Sequence, residues 1–211
     1  MSDQLTAGLD EVGWGAGAGP IVSCVAVVCE EDLKKLPKGV TDSKKLSPMK
    51  REMLFGELLK VTAIGIGSCE PEEIDKMGPK FALQETYRRA LAELKVVPDL
   101  LIVDGTDWTN RVKSWPGEQL VVPKADLHHK CVSVASIVAK VIRDTAMAER
   151  AAKLKKVGCP DYNWAVNKGY LTPDHIQAIE KYGLLYGPEP LYQHRRSYTK
   201  NLLGKVKIYG T

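Results

Sequence analysis

Asp10 and Glu11 stand side by side at the end of an apolar run and are followed at once by Gly13, Gly15, Gly17 and Gly19. Adjacent carboxylates offer hard oxygen ligands to a divalent cation. Glycines expose backbone N–H groups that can approach a phosphate or sugar closely. In a regular strand neighbouring side chains point to opposite faces, so joint service of one ion predicts a bend at this pair, which glycine permits. Two further apolar runs repeat the device. Leu100–Val103 ends in Asp104-Gly105, and Leu120–Val122 leads through Pro123-Lys124-Ala125 to Asp126. Ligand sites in sheets with parallel strands gather at the carboxyl ends of those strands. Three such ends are expected to bring Asp10, Asp104 and Asp126 together, with Glu11 beside them. Four carboxylates in one dry pocket repel one another and demand counter-charge. Two divalent cations would supply it, Mg2+ or Mn2+ rather than Zn2+ on a hard oxygen set. Such a pair, roughly 3.5–4 Å apart, clamps in-line displacement at a phosphodiester.

The elements that must position these residues are legible as periodicity. Ile21–Cys29 reads as a buried strand after the glycine turn, and Val61–Ser68 as another. Ser47-Pro48 opens a helix, proline being tolerated in the first turn, and Leu54, Leu58 and Leu59 give it an inward face up to Lys60. Leu83, Tyr87, Leu91 and Leu94 recur at helical spacing over Phe81–Val96, and Ile102 and Leu120 fall in the next two strands. From Val132 to Leu154 the pattern is helical again, with Val134, Ile137, Val138, Val141 and Ala148 on one side. Asp144 lies at the edge of that stripe. It is a secondary candidate for orienting a carboxylate's neighbour or a metal-bound water, and is equally suited to a surface ion pair. Thr172-Pro173 opens the last clear helix, with Thr172 as cap and Asp174 in the first turn. Tyr170 is thereby fixed just before a helix.

Taken in order, these blocks resemble the type 2 ribonuclease H family. The blocks are Asp10-Glu11-Val12-Gly13-Trp14-Gly15, Thr41-Asp42-Ser43-Lys44-Lys45-Leu46-Ser47, Val103-Asp104-Gly105, Lys124-Ala125-Asp126, Ser133 to Asp144, Gly169 to His175, and His194-Arg195-Arg196-Ser197-Tyr198. The resemblance runs from residue 8 to about residue 198. It implies an endonuclease that cuts the RNA strand of RNA–DNA hybrids and leaves a 3′-hydroxyl and a 5′-phosphate. It implies an α/β fold, a ribonuclease-H-like mixed five-stranded sheet flanked by helices with a helical C-terminal segment. Its catalytic and metal-holding carboxylates map onto Asp10, Glu11, Asp104 and Asp126. Tyr170 corresponds to a tyrosine that packs on a deoxyribose near the cut, and Lys44 to a phosphate contact. Recognition of the 2′-hydroxyl is expected from the backbone of Gly13 to Gly15. Trp14 departs from the pattern, because the family typically carries arginine between the two glycines. Cleavage at a single ribonucleotide embedded in DNA is therefore in question. The segment Leu184 to Gln193 is longer than the family's usual connection. Two rivals are a hybrid-binding module without turnover and a nuclease of the same superfold acting on branched or integrating DNA. The full carboxylate set and the order of the blocks weigh against both.

Composition agrees with one ordinary globular domain: 211 residues, 44% hydrophobic and 27% charged, with no internal repeat. The expected organisation is a catalytic body over about 1–156 and a basic helical segment over about 157–211. The net charge of +4 is unevenly spread. Residues 151–211 carry ten Lys/Arg against four acids, leaving the rest at −2, and a basic tail suits a polyanionic partner. Cys24, Cys29, Cys69, Cys131 and Cys159 show no paired zinc spacing. With neither a leader-like N-terminus nor a membrane-length apolar run, the expectation is a cytoplasmic monomer with reduced thiols and no membrane partner. Its partners would be RNA–DNA hybrids and DNA containing embedded ribonucleotides.

Overall fold

The computed structural model describes residues 4–41, 43–188, 191–202 and 204–209; Asp42 of the lysine string and Glu189-Pro190 of the long tail connection lie outside the described residues. Five strands, β1 (Thr6–Val12), β2 (Ile21–Val28), β3 (Ala63–Cys69), β4 (Leu100–Asp104) and β5 (Glu118–Val122), form one sheet in the order β3-β2-β1-β4-β5. β1 runs antiparallel to β2 and parallel to β4, and β4 is parallel to β5. All eight residues of β2 are buried, as a continuous apolar run requires when both sheet faces are covered.

The helices are α1 (Glu30–Lys35), α2 (Pro48–Val61), α3 (Pro71–Met77), α4 (Pro79–Glu93), α5 (Asp107–Asn110), α6 (Lys130–Lys156), α7 (Trp164–Asn167), α8 (Pro173–Tyr182) and α9 (Arg196–Thr199). Ser47 caps α2 as expected, its hydroxyl accepting from the Lys50 N–H. α4 stops three residues short of the expected Val96. Two β-branched residues and Pro98 follow there, and they disfavour a helix. Thr172 precedes α8 but does not cap it through its side chain, which hydrogen-bonds the Asp174 carboxylate instead.

Two compact units form. The first contains residues 1–12, 22–68 and 83–142, and the second contains 13–21, 69–82 and 143–211. In the first, Cys24, Ala26 and Val28 of β2 pack with Leu54 and Leu58 of α2 and with Val132, Ala135 and Val138 of α6. Glycine allows the closest approaches. A Cβ on Gly8 of β1 would sit 2.2 Å from the backbone at Cys131 and Val132, and one on Gly67 of β3 would sit 1.9 Å from the Thr86 carbonyl. In the second unit Ala18, Met147 and Leu154 share a core with Tyr162, Trp164, Ile179, Leu184 and Leu185. The described part of the long Leu184–Gln193 connection is built into this core. Leu184 and Leu185 are fully buried, Tyr186 bridges Tyr192, and the Gln193 N–H donates to the Leu185 carbonyl at 3.1 Å. Cys24, Cys69 and Cys131 are buried free thiols. Among the described residues no helix is long and apolar enough to cross a membrane.

Candidate active site

Asp10 and Glu11 occupy the last turns of the β1 pleat, and the chain does not bend between them. Asp10 pairs with Cys24, Glu11 with Ser23 and Val12 with Val22 in unbroken antiparallel register. The expected bend is therefore replaced by an extended strand, because pairing with β2 holds the backbone straight through Val12. The first left-handed residue is Gly13, at φ +88. The two carboxylates accordingly leave the strand on opposite faces.

Each carboxylate meets its own partners. Glu11 accepts from the Tyr87 hydroxyl of α4 at 2.9 Å and from Asn110 Nδ2 at 3.5 Å, and Asn110 also donates to the Tyr87 oxygen at 3.0 Å. Asp10 is hydrogen-bonded by Ser136 of α6, whose hydroxyl lies 2.9 Å from that of Ser43. Asp104 ends β4 one position beyond the Leu9–Val103 pair of the parallel ladder, so it stands level with Asp10. Asp126 arrives differently from the expected third strand end. β5 stops at Val122, Lys124 turns through a left-handed conformation (φ 58, ψ 38), and a short 3-10 turn over Ala125–Leu127 carries Asp126. That turn is tied to the strand ends by the Ala125 N–H, which donates to Asp104 Oδ1 at 2.6 Å. Ser133 of α6 donates to the Asp126 carbonyl at 2.7 Å.

The sequence alone does not single out Tyr87, Asn110 or Ser136. Tyr87 reads there as one member of an apolar helical stripe. A usable signal existed for Ser136, which with Ser133 interrupts the most apolar stretch of α6 at helical spacing.

Burial pushes the Asp10 carboxyl well above its usual range, with the charges of Glu11 and Asp104 adding to it against the Ser136 hydrogen bond. Burial likewise pushes Glu11 up to about 7, with Asp104 adding and the Tyr87 hydrogen bond and Lys44 charge opposing. The charges of Glu11 and Asp104 thus act on Asp10, and that of Asp104 acts on Glu11. Among the described residues no three His, Cys, Asp or Glu side chains converge tightly enough to grip an ion as they stand. Asp10 Oδ1 is turned to the Glu11 N–H at 2.7 Å, as Asp104 Oδ1 is to Ala125. The donor set nevertheless suits a hard divalent cation. Buried carboxylates discouraged from ionising by burial and by each other are the groups an added positive charge would ionise.

Lys44 is exposed in a 3-10 turn over Ser43–Lys45, and its charge acts on Glu11. Gly13, Trp14, Gly15 and Tyr170 belong to the second unit. There Arg195 Nη1 donates to the Gly13 and Trp14 carbonyls at 2.7 and 3.1 Å, and the Arg143 guanidinium lies 5.3 Å from the Tyr170 ring centre. The Trp14 indole N–H is buried and makes no hydrogen bond among the described residues. Asp144 also falls in the second unit. Its carbonyl accepts from Lys168 Nζ at 3.5 Å, and its charge acts on Arg143.

Comparison with known proteins gives a consistent result. The family model described as Ribonuclease HII matches residues 7–201. A Ribonuclease HII from Aliivibrio fischeri is 40% identical over 204 residues, covering 95% of this chain and 90% of that protein. The crystal structure of the ribonuclease H2 from Pyrococcus horikoshii OT3 superposes with a TM-score of 0.73 at 30% identity, covering 93% of this chain and 96% of that one. A ribonuclease HII from Archaeoglobus fulgidus, solved in complex with PCNA, gives 0.65 at 30% identity over 83% and 85% of the two chains.

Proposed function

Because the chain belongs to the ribonuclease HII family, we propose that it is an endonuclease hydrolysing the RNA strand of RNA–DNA hybrids, leaving 3′-hydroxyl and 5′-phosphate ends. The observation that carries this reading is the level placement of Asp10 and Asp104 at the ends of parallel strands, with Glu11 within electrostatic reach of both. Asp10, Glu11, Asp104 and Asp126 would hold two divalent ions, Mg2+ or Mn2+, which when bound supply the Lewis acidity for attack by water and for departure of the 3′ oxygen. The chain's own groups do the rest. Tyr87 and Asn110 orient Glu11, Ser136 orients Asp10, and the Ala125 N–H fixes Asp104. Lys44 is a point charge for a substrate phosphate. Tyr170 is the platform for a deoxyribose, and the backbone of Gly13 to Gly15 supplies donors for the 2′-hydroxyl, the group that separates RNA from DNA.

Trp14 brings neither the charge nor the donors of an arginine, so continuous hybrids are the main substrate and an isolated ribonucleotide in DNA the weaker one. Assay of one RNA–DNA hybrid and one all-DNA duplex of the same sequence, with magnesium, tests the reading. Cleavage confined to the RNA strand of the hybrid is the expected result. No cleavage, or cleavage of the DNA duplex, overturns it.

A further inference from the structure

Arg143 and Arg195 are the largest charged side chains withdrawn fully from solvent, and neither forms a salt bridge among the described residues. Their donors go to backbone instead, except Arg195 Nη2, which finds no partner among the described residues. Arg195 Nε donates to the Gly19 carbonyl at 2.7 Å, Nη1 to those of Gly13 and Trp14 at 2.7 and 3.1 Å, and the Arg195 backbone N–H to that of Gly17 at 2.8 Å. Arg143 Nε donates to the Pro20 carbonyl at 2.9 Å and Nη2 to that of Ala18 at 3.3 Å. Six carbonyls of Gly13–Pro20 are thus held by two residues. Gly13 itself, at φ +88, has no room for a side chain, since a Cβ would fall 1.9 Å from Arg143 Nε.

Burying two cations without ionic partners is costly, and forked guanidinium donors are the side chain suited to gathering several acceptors at once. The consequence for the loop follows from peptide geometry. In a trans peptide the C=O of one residue and the N–H of the next point in opposite directions. With the Gly13 and Trp14 carbonyls turned inward to Arg195, the Trp14 and Gly15 N–H groups are turned away from it. Gly15 is exposed, and neither N–H donates a hydrogen bond among the described residues.

We propose that Arg195, supported by Arg143, is the specificity-determining positioning residue of this loop. By holding the Gly13 and Trp14 carbonyls inward it presents the Trp14 and Gly15 N–H groups to the 2′-hydroxyl of a ribonucleotide. The proposal rests on the hybrid-cleaving reading above. It separates Arg195 from a generic cation for phosphates, because the guanidinium acts through the backbone and is itself out of reach of solvent.

The test compares wild type, Arg195→Lys and Gly15→Pro in magnesium, measuring kcat and KM on an RNA–DNA hybrid and Ki for a same-sequence DNA duplex as competitor. Lysine keeps the charge but cannot hold two carbonyls and Gly19 together, and proline removes the Gly15 N–H while leaving Arg195 intact. Both variants are expected to raise KM for the hybrid about tenfold, the loss of one or two hydrogen bonds, with kcat and the DNA Ki much less changed. Should Arg195→Lys fail to fold, Gly15→Pro carries the test alone. A folded variant that weakens hybrid and DNA binding by the same factor, or weakens neither, overturns the proposal. Absence of wild-type turnover on the hybrid would overturn both the proposal and the functional reading beneath it.

Discussion

Glu11 keeps its proton up to about pH 7 in the folded chain, against an ordinary value of 4.5, because burial and the neighbouring Asp104 oppose its charge. Between those two pH values the folded state holds a proton that the unfolded state has released, so stability in the absence of divalent ions falls as pH rises. Asp10 acts in the same direction. Asp10→Asn is therefore expected to raise metal-free stability at pH 8, a gain that narrows toward pH 4, as thermal denaturation would read. The same variant, like Asp104→Asn, is expected to lower hybrid turnover by more than about a hundredfold, beyond the loss typical of removing a ligand's supporting partner. A folded Asp10→Asn with near-normal turnover removes Asp10 from the site. Tyr87→Phe takes away the hydroxyl that orients Glu11 and should cost roughly 10–100-fold in activity or metal affinity. At position 14 the buried indole N–H offers substrate no donor. Trp14→Arg is expected to improve incision at a single embedded ribonucleotide more than cleavage of a continuous hybrid. Equal performance of wild type and variant on both substrates would show that tryptophan costs nothing at the junction.

α8 and the segments around it carry a second titrating pair whose sign is opposite. The Leu185 N–H donates to His194 Nδ1 at 2.9 Å, which places the His194 proton on Nε2, 3.3 Å from His175 Nε2. His175 Nε2 also accepts from the Trp164 indole at 3.0 Å, so its own proton sits on Nδ1 and goes to the Tyr170 carbonyl at 2.9 Å. This network assigns both tautomers and has no room for another proton. Burial holds both histidines below their ordinary 6.5, and His175 adds to the effect on His194. The unfolded chain therefore takes up protons that the folded pair refuses, and stability is lost as pH falls below about 6.5. Below about pH 6.5 the histidines thus work against Glu11 and Asp10. Glu11→Gln removes one of the two opposing carboxyls, so urea midpoints should drop more steeply on acidification than in wild type; an unchanged profile in that variant would mean that Glu11 does not offset the histidines. Local signals made most elements legible. The apolar run of β2, the Ser47-Pro48 start of α2 and the stripe of α6 are written in consecutive residues. What the sequence could not display depends on pairing at a distance. β1 stays extended past Asp10 because β2 holds it, a 3-10 turn delivers Asp126, and Glu11 meets Tyr87 and Asn110 across 76 and 99 residues.

Across the whole chain the excess positive charge lies in residues 151–211, ten Lys/Arg against four acids. A polyanionic duplex would use that excess. Deleting the segment is a poor test, because Tyr162, Trp164, Ile179, Leu184 and Leu185 form a core with Ala18, Met147 and Leu154. Truncation would remove much of that core along with the charge. Lys155, Lys156 and Lys205 are exposed, so their replacement by glutamine subtracts charge while leaving the buried residues in place. Each surface change is expected to move stability by no more than about 0.5 kcal/mol. Hybrid binding, followed by fluorescence anisotropy between about 50 and 200 mM salt, should fall less steeply in the triple variant. The slope of log K against log salt is expected to flatten by roughly 0.7–0.9 for every lysine that sits on a phosphate, and so by about 2–3 if all three do. The ratio of hybrid to DNA affinity should change little, because phosphate contacts position the duplex without reading its sugars. An unchanged slope in a folded triple variant would mean that these lysines face away from the duplex and that the neutralising charge lies elsewhere on the molecule.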